Sequence, residues 1–249
     1  PLLGILCYEV AGGEYIEEIM ELALAYEIIH TATLIHEDIN DAAKLRRGVT
    51  TLHERIGQQK AIIAGDWLFV QGYGLSGRYT KKCIDLIREA CANIAVSEFK
   101  QLDHVLDLST SPEDYLHIVQ GKTAGPFAAV CESAAIIAGA TKEQSDSLGR
   151  FGMQLGIAFQ LMDDLLDLRG DERMGKPRGK DVIEGKMTLP LIHALTLLHG
   201  KHRQRLSEIL NNFSDSLWDE LMGLLDTSDS IHYSECLMYT HLERAIQEL

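Results

Sequence analysis

Apart from its first residue, the chain contains no proline before Pro112. Proline interrupts helices because it lacks a backbone N–H and its ring clashes with the preceding turn. Apolar residues in this proline-free stretch recur at helical spacing, as in Ile16, Ile19, Ala23 and Tyr26. No segment shows the sustained alternation that is typical of a half-buried strand. The sequence therefore predicts an all-α protein, a bundle of long helices.

Local signals place the helix boundaries. Ser111 and Pro112 are typical of a helix start, as N-cap and first helical residue, and Thr141 with Gln144 forms a capping box. The chain is long enough for a large core, so residues 1–249 are predicted to form a single domain. Helices are expected from after Gly12-Gly13 to about Glu37, near 58–75 and 81–107, from Pro112, from Thr141 to Leu168, and near 189–199, 203–212, 214–226 and 230–247, with a glycine-rich loop near 169–186.

The composition excludes some classes of protein. A net charge of -14 argues against a nucleic-acid partner, because phosphate backbones require a basic surface. The five cysteines show no CxxC spacing and indicate reduced core residues of a cytoplasmic protein. No uninterrupted apolar run reaches about 18 residues, so no transmembrane span is predicted.

Two acidic pentads, residues 37–41 and 163–167, each follow a long apolar helical stretch. Their first and last acids are four residues apart and share one helix face, where like charges repel. Carboxylate oxygens suit Mg²⁺, which is commonly bound by one or two carboxylates together with substrate phosphates. The pentads therefore predict magnesium ions around a diphosphate. The acids are Glu37, Asp38 and Asp41 in the first pentad and Asp163, Asp164 and Asp167 in the second.

Basic residues follow both pentads, and a Lys-Thr pair lies between them. The guanidinium groups of Arg46 and Arg47 offer planar forks for diphosphate oxygens. The sequence GKT at 121–123 is no P-loop, because the GxxxxGK[ST] pattern after a strand is missing. Each lysine taken alone is commonly a solvated surface residue, and His53 alone is commonly structural. The candidate anion-binding groups are Arg46, Arg47, His53, Lys122, Thr123, Lys176, Lys180 and Lys186.

The order and spacing of these motifs resemble the trans-isoprenyl diphosphate synthases, which make farnesyl, geranylgeranyl and longer polyprenyl diphosphates. HEDINDAAKLRRG resembles the first aspartate-rich motif, GKTAG the Lys-Thr motif, FQLMDDLLD the second aspartate-rich motif, and GKPRGKDVIEGKMTLPLIHAL the stretch after it. The resemblance extends from Pro1 to about Leu198. It implies the isoprenoid synthase fold, helices around a central cavity, and a homodimer.

The resemblance also implies roles for single residues. Glu37 and Asp41 would bind two Mg²⁺ ions and Asp163 a third, supported by Asp38, Asp164 and Asp167. Arg46, Lys122, Thr123, Gln160, Lys176 and Lys186 would surround an allylic diphosphate, with Lys122, Thr123, Gln160 and Lys176 as the catalytic set. Arg47 and His53 would hold isopentenyl diphosphate.

The implied reaction is an ionisation–condensation–elimination cycle that joins isopentenyl diphosphate to the allylic diphosphate. Ala32 and Thr33, five and four positions before Glu37, are small. Aromatic residues there block the cavity in the family, so products of geranylgeranyl length or longer are expected. Ile28, Ile29 and Phe127 are candidates for closing the tunnel lower down.

The chain departs from the family pattern in two ways. The first motif begins with Glu37 where the family usually has aspartate, which shifts a magnesium site that tolerates little error. A basic Gly-Gly-Lys-Arg segment would precede Pro1, so this segment and part of the C-terminal end are expected to be missing. Three alternatives remain open at this point: a non-catalytic partner subunit of a heteromeric prenyltransferase, a class I terpene cyclase, and a plain helical scaffold.

Overall fold

The computed structural model describes residues 1–170 and 178–249. Helices dominate this part of the chain, and the all-α prediction is confirmed. The elements are α1 (Leu2–Val10), α2 (Ile16–Asn40), β1 (Leu45–Arg46), β2 (Val49–Thr50), α3 (Leu52–Ile56), α4 (Gln58–Ser76), α5 (Lys81–Asp103), α6 (Pro112–Val119), a π-helical turn (Gln120–Ala124), α7 (Gly125–Ile137), α8 (Lys142–Arg169), α9 (Lys180–Ile183), α10 (Leu189–Leu197), α11 (Gly200–Asn211), a 3-10 turn (Asp215–Leu217), α12 (Trp218–Thr227) and α13 (Ser230–Ile246).

The two helix starts inferred from capping signals are present. Ser111 accepts a hydrogen bond from the backbone N–H of Asp114, whose side chain accepts from the Ser111 N–H in return. The Thr141 hydroxyl oxygen accepts from the Gln144 N–H at 3.3 Å, and Gln144 Oε1 accepts from the Thr141 N–H at 2.9 Å. Each box satisfies two backbone donors that the helix itself leaves unpaired.

The chain divides into two compact units, each with its own core. The first unit contains residues 1–92, 126–152 and 248–249, and the second contains 93–125 and 153–247. Buried side chains of α1, α2, α5 and α7 meet in the core of the first unit. The prediction that residues 1–249 form a single domain stays a prediction.

In the first unit, α2 and α4 run antiparallel in close contact. A Cβ atom on Gly65 would lie 2.2 Å from His36 Nε2, and one on Gly72 would lie 2.7 Å from Ile29 Cγ1 and 3.0 Å from the Ala25 carbonyl oxygen. The absence of a side chain at these two positions of α4 therefore lets α2 approach. This contact holds the helix end that carries the first acidic pentad.

In the second unit, the core joins α6 and α8 to the C-terminal helices α10–α13. Leu161 of α8, Ile192 of α10 and Leu221 of α12 are almost fully buried in it. The second acidic pentad lies at the C-terminal end of α8, and this core fixes its position. No helix in the described ranges 1–170 and 178–249 is both long and apolar enough to span a membrane.

Candidate active site

The first acidic pentad occupies the last turn of α2 and binds an arginine. Arg46 Nε donates to Asp38 Oδ1 at 2.8 Å, and Arg46 Nη2 donates to Glu37 Oε2 at 3.0 Å. Asp38 is buried, and the Glu37 side chain is three-quarters buried. One guanidinium group therefore bridges two neighbouring carboxylates and offsets part of the repulsion between them.

The charge of Arg46 is stabilised by this arrangement. Burial lowers the pKa of Arg46, but the hydrogen bond to Asp38 and the charge of Glu37 act in the opposite direction and outweigh it. The pKa of Arg46 therefore lies above its ordinary value. The extra methylene of Glu37, relative to aspartate, gives its carboxylate the reach that this contact uses.

A short hairpin carries the two arginines. Strands β1 and β2 pair Leu45 with Thr50 and Arg46 with Val49, which leaves Arg47 and Gly48 as a two-residue turn. Both turn residues have positive φ, 52° at Arg47 and 77° at Gly48, as a type I′ turn requires. The hairpin directs Arg46 towards α2 and leaves Arg47 exposed. Period-two alternation could not reveal strands this short.

His53 lies in α3, just after the hairpin. Its side chain is only 11% exposed, and its Nε2 lies 3.6 Å from Glu54 Oε1. Within the described residues, His53 Nδ1 is buried and has no hydrogen-bond partner. A buried ring nitrogen without a partner is energetically unfavourable and suits a site that receives a ligand.

The second acidic pentad is connected to three other side chains of the second unit. Tyr115 OH donates to Asp164 Oδ2 at 2.6 Å, and Gln160 Nε2 donates to Asp164 Oδ1 at 2.8 Å. Thr123 Oγ1 in turn donates to Gln160 Oε1 at 2.8 Å. The structure thus brings together Thr123, Gln160 and Asp164, all predicted site residues, and adds Tyr115.

Burial raises the pKa of Asp164 to about 7. Hydrogen bonds from Tyr115 and Gln160 lower it, whereas the charges of Asp163 and Asp167 raise it further. A buried carboxyl group with this pKa is costly to ionise unless a cation lies near it.

Asp167 has a structural contact in addition to its predicted role. Its carboxylate accepts from the backbone N–H groups of Lys180 and Asp181, both at 3.1 Å, at the start of α9. The pKa of Asp181 is raised well above its ordinary value, first by burial and then by the charges of Asp164 and Asp167, with Lys186 opposing. Asp181 is therefore a fourth acid of this cluster that the pentad spacing did not reveal.

The Lys-Thr motif lies in the π-helical turn. Lys122 Nζ donates to Gln101 Oε1 at 2.7 Å and lies 2.8 Å from Glu98 Oε2, both on α5. A Cβ atom on Gly121 would lie 2.0 Å from Ser97 Oγ, so only glycine permits this close approach. Single π-helical turns occur frequently at functional sites. The sequence analysis predicted Lys122 as a site residue but did not predict its contacts with Glu98 and Gln101.

The lysines after the second pentad share one carboxylate. Lys186 Nζ lies 2.7 Å from Glu184 Oε2, and Lys180 Nζ lies 3.1 Å from Glu184 Oε1. Glu184 was not predicted as a site residue. Lys176, predicted as catalytic, lies outside the described residues.

The donor atoms fit a hard divalent cation. Among the described residues, no three acidic, histidine or cysteine side chains converge as in a protein-only metal cage. Mg²⁺ does not need such a cage, because it keeps several waters and takes one or two carboxylates plus phosphate oxygens. Burial is the main cause of the raised pKa values of Asp164 and Asp181, and a cation bound beside them would offset the cost of ionising them.

Comparison with known proteins identifies related sequences. A family model described as Polyprenyl synthetase matches residues 1–222, a range that includes every candidate site residue. A short chain isoprenyl diphosphate synthase from Methanothermobacter thermautotrophicus is 32% identical over 255 residues, covering 100% of this chain and 78% of that protein. An octaprenyl diphosphate synthase from Escherichia coli is 37% identical over 206 residues, covering 82% of this chain but only 63% of that protein.

The fold has relatives among solved structures. A polyprenyl synthase from Caulobacter crescentus, complexed with calcium and isoprenyl diphosphate, has a TM-score of 0.93 and 33% identity, covering 100% of this chain and 77% of that one. A decaprenyl diphosphate synthase from Rhodobacter capsulatus has a TM-score of 0.91 and 31% identity, with the same coverage.

Proposed function

Because the chain belongs to the polyprenyl synthetase family of trans-prenyltransferases, we propose that it condenses isopentenyl diphosphate with an allylic diphosphate. The product is an all-trans polyprenyl diphosphate. The fold of the chain is the all-α isoprenoid synthase fold of its structural neighbours. The observation that carries the proposal is the family match, which covers both acidic pentads and the Lys-Thr motif between them.

The family uses divalent metal ions, and we assign Mg²⁺, about three ions by family resemblance, to this chain. Glu37 and Asp41 would hold two ions and Asp163 the third, with Asp38, Asp164 and Asp167 in support. When bound, the ions supply positive charge that stabilises the diphosphate as its bond to carbon breaks.

The chain's own residues bind and orient the two substrates. By the family resemblance, Arg46, Lys122, Lys176 and Lys186 would bind the allylic diphosphate and balance its charge. Arg47, which is exposed on the hairpin, and His53, whose ring nitrogen is unpaired, hold isopentenyl diphosphate. The hydroxyl and amide oxygens of Thr123 and Gln160 face the allylic cation. The double bond of isopentenyl diphosphate attacks the allylic cation, so no protein nucleophile is required, and the departing pyrophosphate accepts the proton that is lost.

Incubation of the purified protein with isopentenyl diphosphate, an allylic diphosphate and Mg²⁺ tests this function. Elongated diphosphates support a synthase, and hydrocarbon release without isopentenyl diphosphate indicates a terpene cyclase. No product indicates a non-catalytic partner subunit, the alternative that Glu37 favours. Asp163→Asn is expected to lower turnover by about 100-fold or more. Asp219→Asn, on the exposed side of α12, serves as the matched control and should leave turnover unchanged.

We also propose that the product is of geranylgeranyl length or longer. The chain would grow along α2 away from Glu37, past Ala32 and Thr33, which offer no bulky side chain. Ala32 is fully buried, on the stripe of α2 with Ala25 and Ile29, and Thr33 is half-buried beside it.

Ala32→Phe is expected to shorten the main product by at least one isoprene unit, because the proposed path of the growing chain passes this position. Chromatography of the dephosphorylated products measures the chain length. Thr33→Phe places the same ring on the neighbouring stripe and provides a second test where Ala32→Phe destabilises the fold. An unchanged product in both variants, with normal turnover, would show that α2 does not line the tunnel.

We propose that the protein acts as a homodimer in the cytoplasm. The described cysteines Cys7, Cys83, Cys91, Cys131 and Cys236 are free thiols, which fits a reducing compartment. Helix α4 exposes Ile63, Trp67 and Val70 at helical spacing, a face that a second copy of the chain would cover.

A further inference from the structure

Four side chains of the second unit form one line of hydrogen bonds. It runs from Tyr115 on α6 through Asp164 and Gln160 on α8 to Thr123 in the π-helical turn. The three donor–acceptor distances are 2.6, 2.8 and 2.8 Å. Tyr115 and Asp164 are buried at 5% and 4% exposure, so water does not compete with their bond.

When Asp164 is ionised, as beside a bound cation, the chemistry of the four groups fixes the direction of every bond in this line. Tyr115 has a single O–H, which is directed to Asp164 Oδ2. Asp164 Oδ1 is then left as an acceptor, so the amide NH₂ of Gln160, and not its carbonyl, must face it.

The orientation of the Gln160 amide then decides what Thr123 does. With the NH₂ group on Asp164, the carbonyl oxygen of Gln160 faces Thr123, and the Thr123 hydroxyl must donate to it. The hydrogen of that hydroxyl is used within the line, and the lone pairs of Thr123 Oγ1 remain for other partners.

We propose that Tyr115 is a positioning residue of the prenyltransferase reaction, an inference that rests on the proposed function. Its hydroxyl fixes Asp164, Asp164 fixes the Gln160 amide, and Gln160 turns the Thr123 hydroxyl so that oxygen lone pairs face the developing allylic cation. The reversed line would present a hydroxyl hydrogen, with its partial positive charge, to that cation. A dipole aligned before the reaction costs no reorganisation in the transition state.

Loss of the Tyr115 hydroxyl removes the donor that holds Asp164 Oδ2 in place. Oδ2 becomes a buried oxygen without its donor, and the carboxyl group can rotate to find another. The Gln160 amide then loses the fixed oxygen on which it is oriented, and its bond to Thr123 is held less firmly. The shapes of all four side chains are otherwise unchanged.

The first test compares Tyr115→Phe with Tyr26→Phe. Tyr26 is a half-buried tyrosine whose hydroxyl contacts Ser133 in the first unit, at 3.4 Å. Tyr115→Phe is expected to lower kcat three- to tenfold with KM for the allylic diphosphate unchanged, because the loss falls on the transition state. Tyr26→Phe should leave both constants unchanged. An equal effect of the two variants would overturn the proposal.

Coupling to Thr123 separates positioning from a general loss of stability. In a Thr123→Val background, where the hydroxyl is gone, Tyr115→Phe should cause no further decrease in kcat. Two decreases that multiply would show that Tyr115 acts independently of Thr123, and the proposal would be wrong.

A second measurement does not depend on turnover. The side-chain ¹⁵N–H₂ signal of Gln160, assigned by its loss in Gln160→Leu, should shift and exchange faster with water in Tyr115→Phe but not in Tyr26→Phe. If the wild-type chain makes no elongated product, the proposed function fails, and this signal still decides whether the line exists. An unchanged Gln160 signal in Tyr115→Phe would refute it.

Discussion

At the scale of one residue, Asp164 is a carboxyl group whose ionised form is made unfavourable by burial. Its pKa in the folded protein is about 7, against an ordinary value of 3.8, and burial is the main cause. Between these two values the folded protein keeps the proton and the unfolded chain releases it. The free energy of unfolding therefore falls as the pH rises through this window.

Asp164→Asn should remove this pH dependence. Because asparagine does not ionise, the stability of the variant relative to wild type is expected to rise by about 2 to 4 kcal/mol between pH 4 and pH 7. Urea unfolding of both proteins without divalent metal, at several pH values, measures the difference. All other groups are shared, so a difference that stays constant with pH would contradict the raised pKa of Asp164.

Candidate site residues could be inferred from the sequence where their spacing was informative. The i to i+4 spacing of the acids predicted that they share one helix face, and the adjacent arginines predicted an anion-binding group, of which Arg46 contacts the carboxylates of Glu37 and Asp38. Their partners could not be inferred. Tyr115 lies 49 positions from Asp164 along the chain, and Gln101 lies 21 positions from Lys122. Such contacts depend on tertiary structure, which no local pattern encodes.

At the scale of secondary-structure elements, helix lengths were predictable and irregular turns were not. Capping residues and apolar periodicity are local, so the predicted bounds of α2, α4 and α8 lie within a few residues of those observed. The π-helical turn at Gln120–Ala124 has no such local signal, because its extra residue is accommodated by packing at Gly121. Helix α1 was not predicted.

The α2–α4 contact provides a test at this scale. Gly72→Ala is expected to lower the free energy of unfolding by about 1 to 3 kcal/mol, because the new Cβ would lie 3.0 Å from the Ala25 carbonyl oxygen, which cannot rotate away. Thermal or urea unfolding measures the change.

Gly74→Ala on the same helix is the matched control, since a Cβ atom there meets nothing within 4 Å. It should be neutral or should stabilise the protein by about 0.5 to 1 kcal/mol, because alanine is the better helix former. Equal effects of the two alanines would show that the close approach of α2 to α4 is not required.

At the scale of the whole molecule, the proposed homodimer depends on apolar surface that the folded chain leaves exposed. Trp67 on α4 is 60% exposed, although burial of a tryptophan side chain is strongly favourable. A soluble protein seldom leaves several large apolar side chains together on one helix face unless another surface covers them.

Trp67→Glu should therefore convert a dimer into monomers, measured as the mass in sedimentation or light scattering. Tyr239→Glu is the matched control, because Tyr239 on α13 is also 60% exposed. It should leave the mass unchanged. A dimer that survives Trp67→Glu with undiminished affinity would place the interface elsewhere.

The type I′ turn at Arg47–Gly48 sets a limit for engineering this region. Successive residues of a strand point to opposite sides, so a one-residue slip turns each side chain round. Deleting Gly48 or inserting a residue beside it would swing Arg46 away from Asp38. A library of variants that changes the loop length would therefore change the directions of both guanidinium groups. A library that keeps the length and varies only the composition would leave Arg46 directed towards α2 and Arg47 exposed.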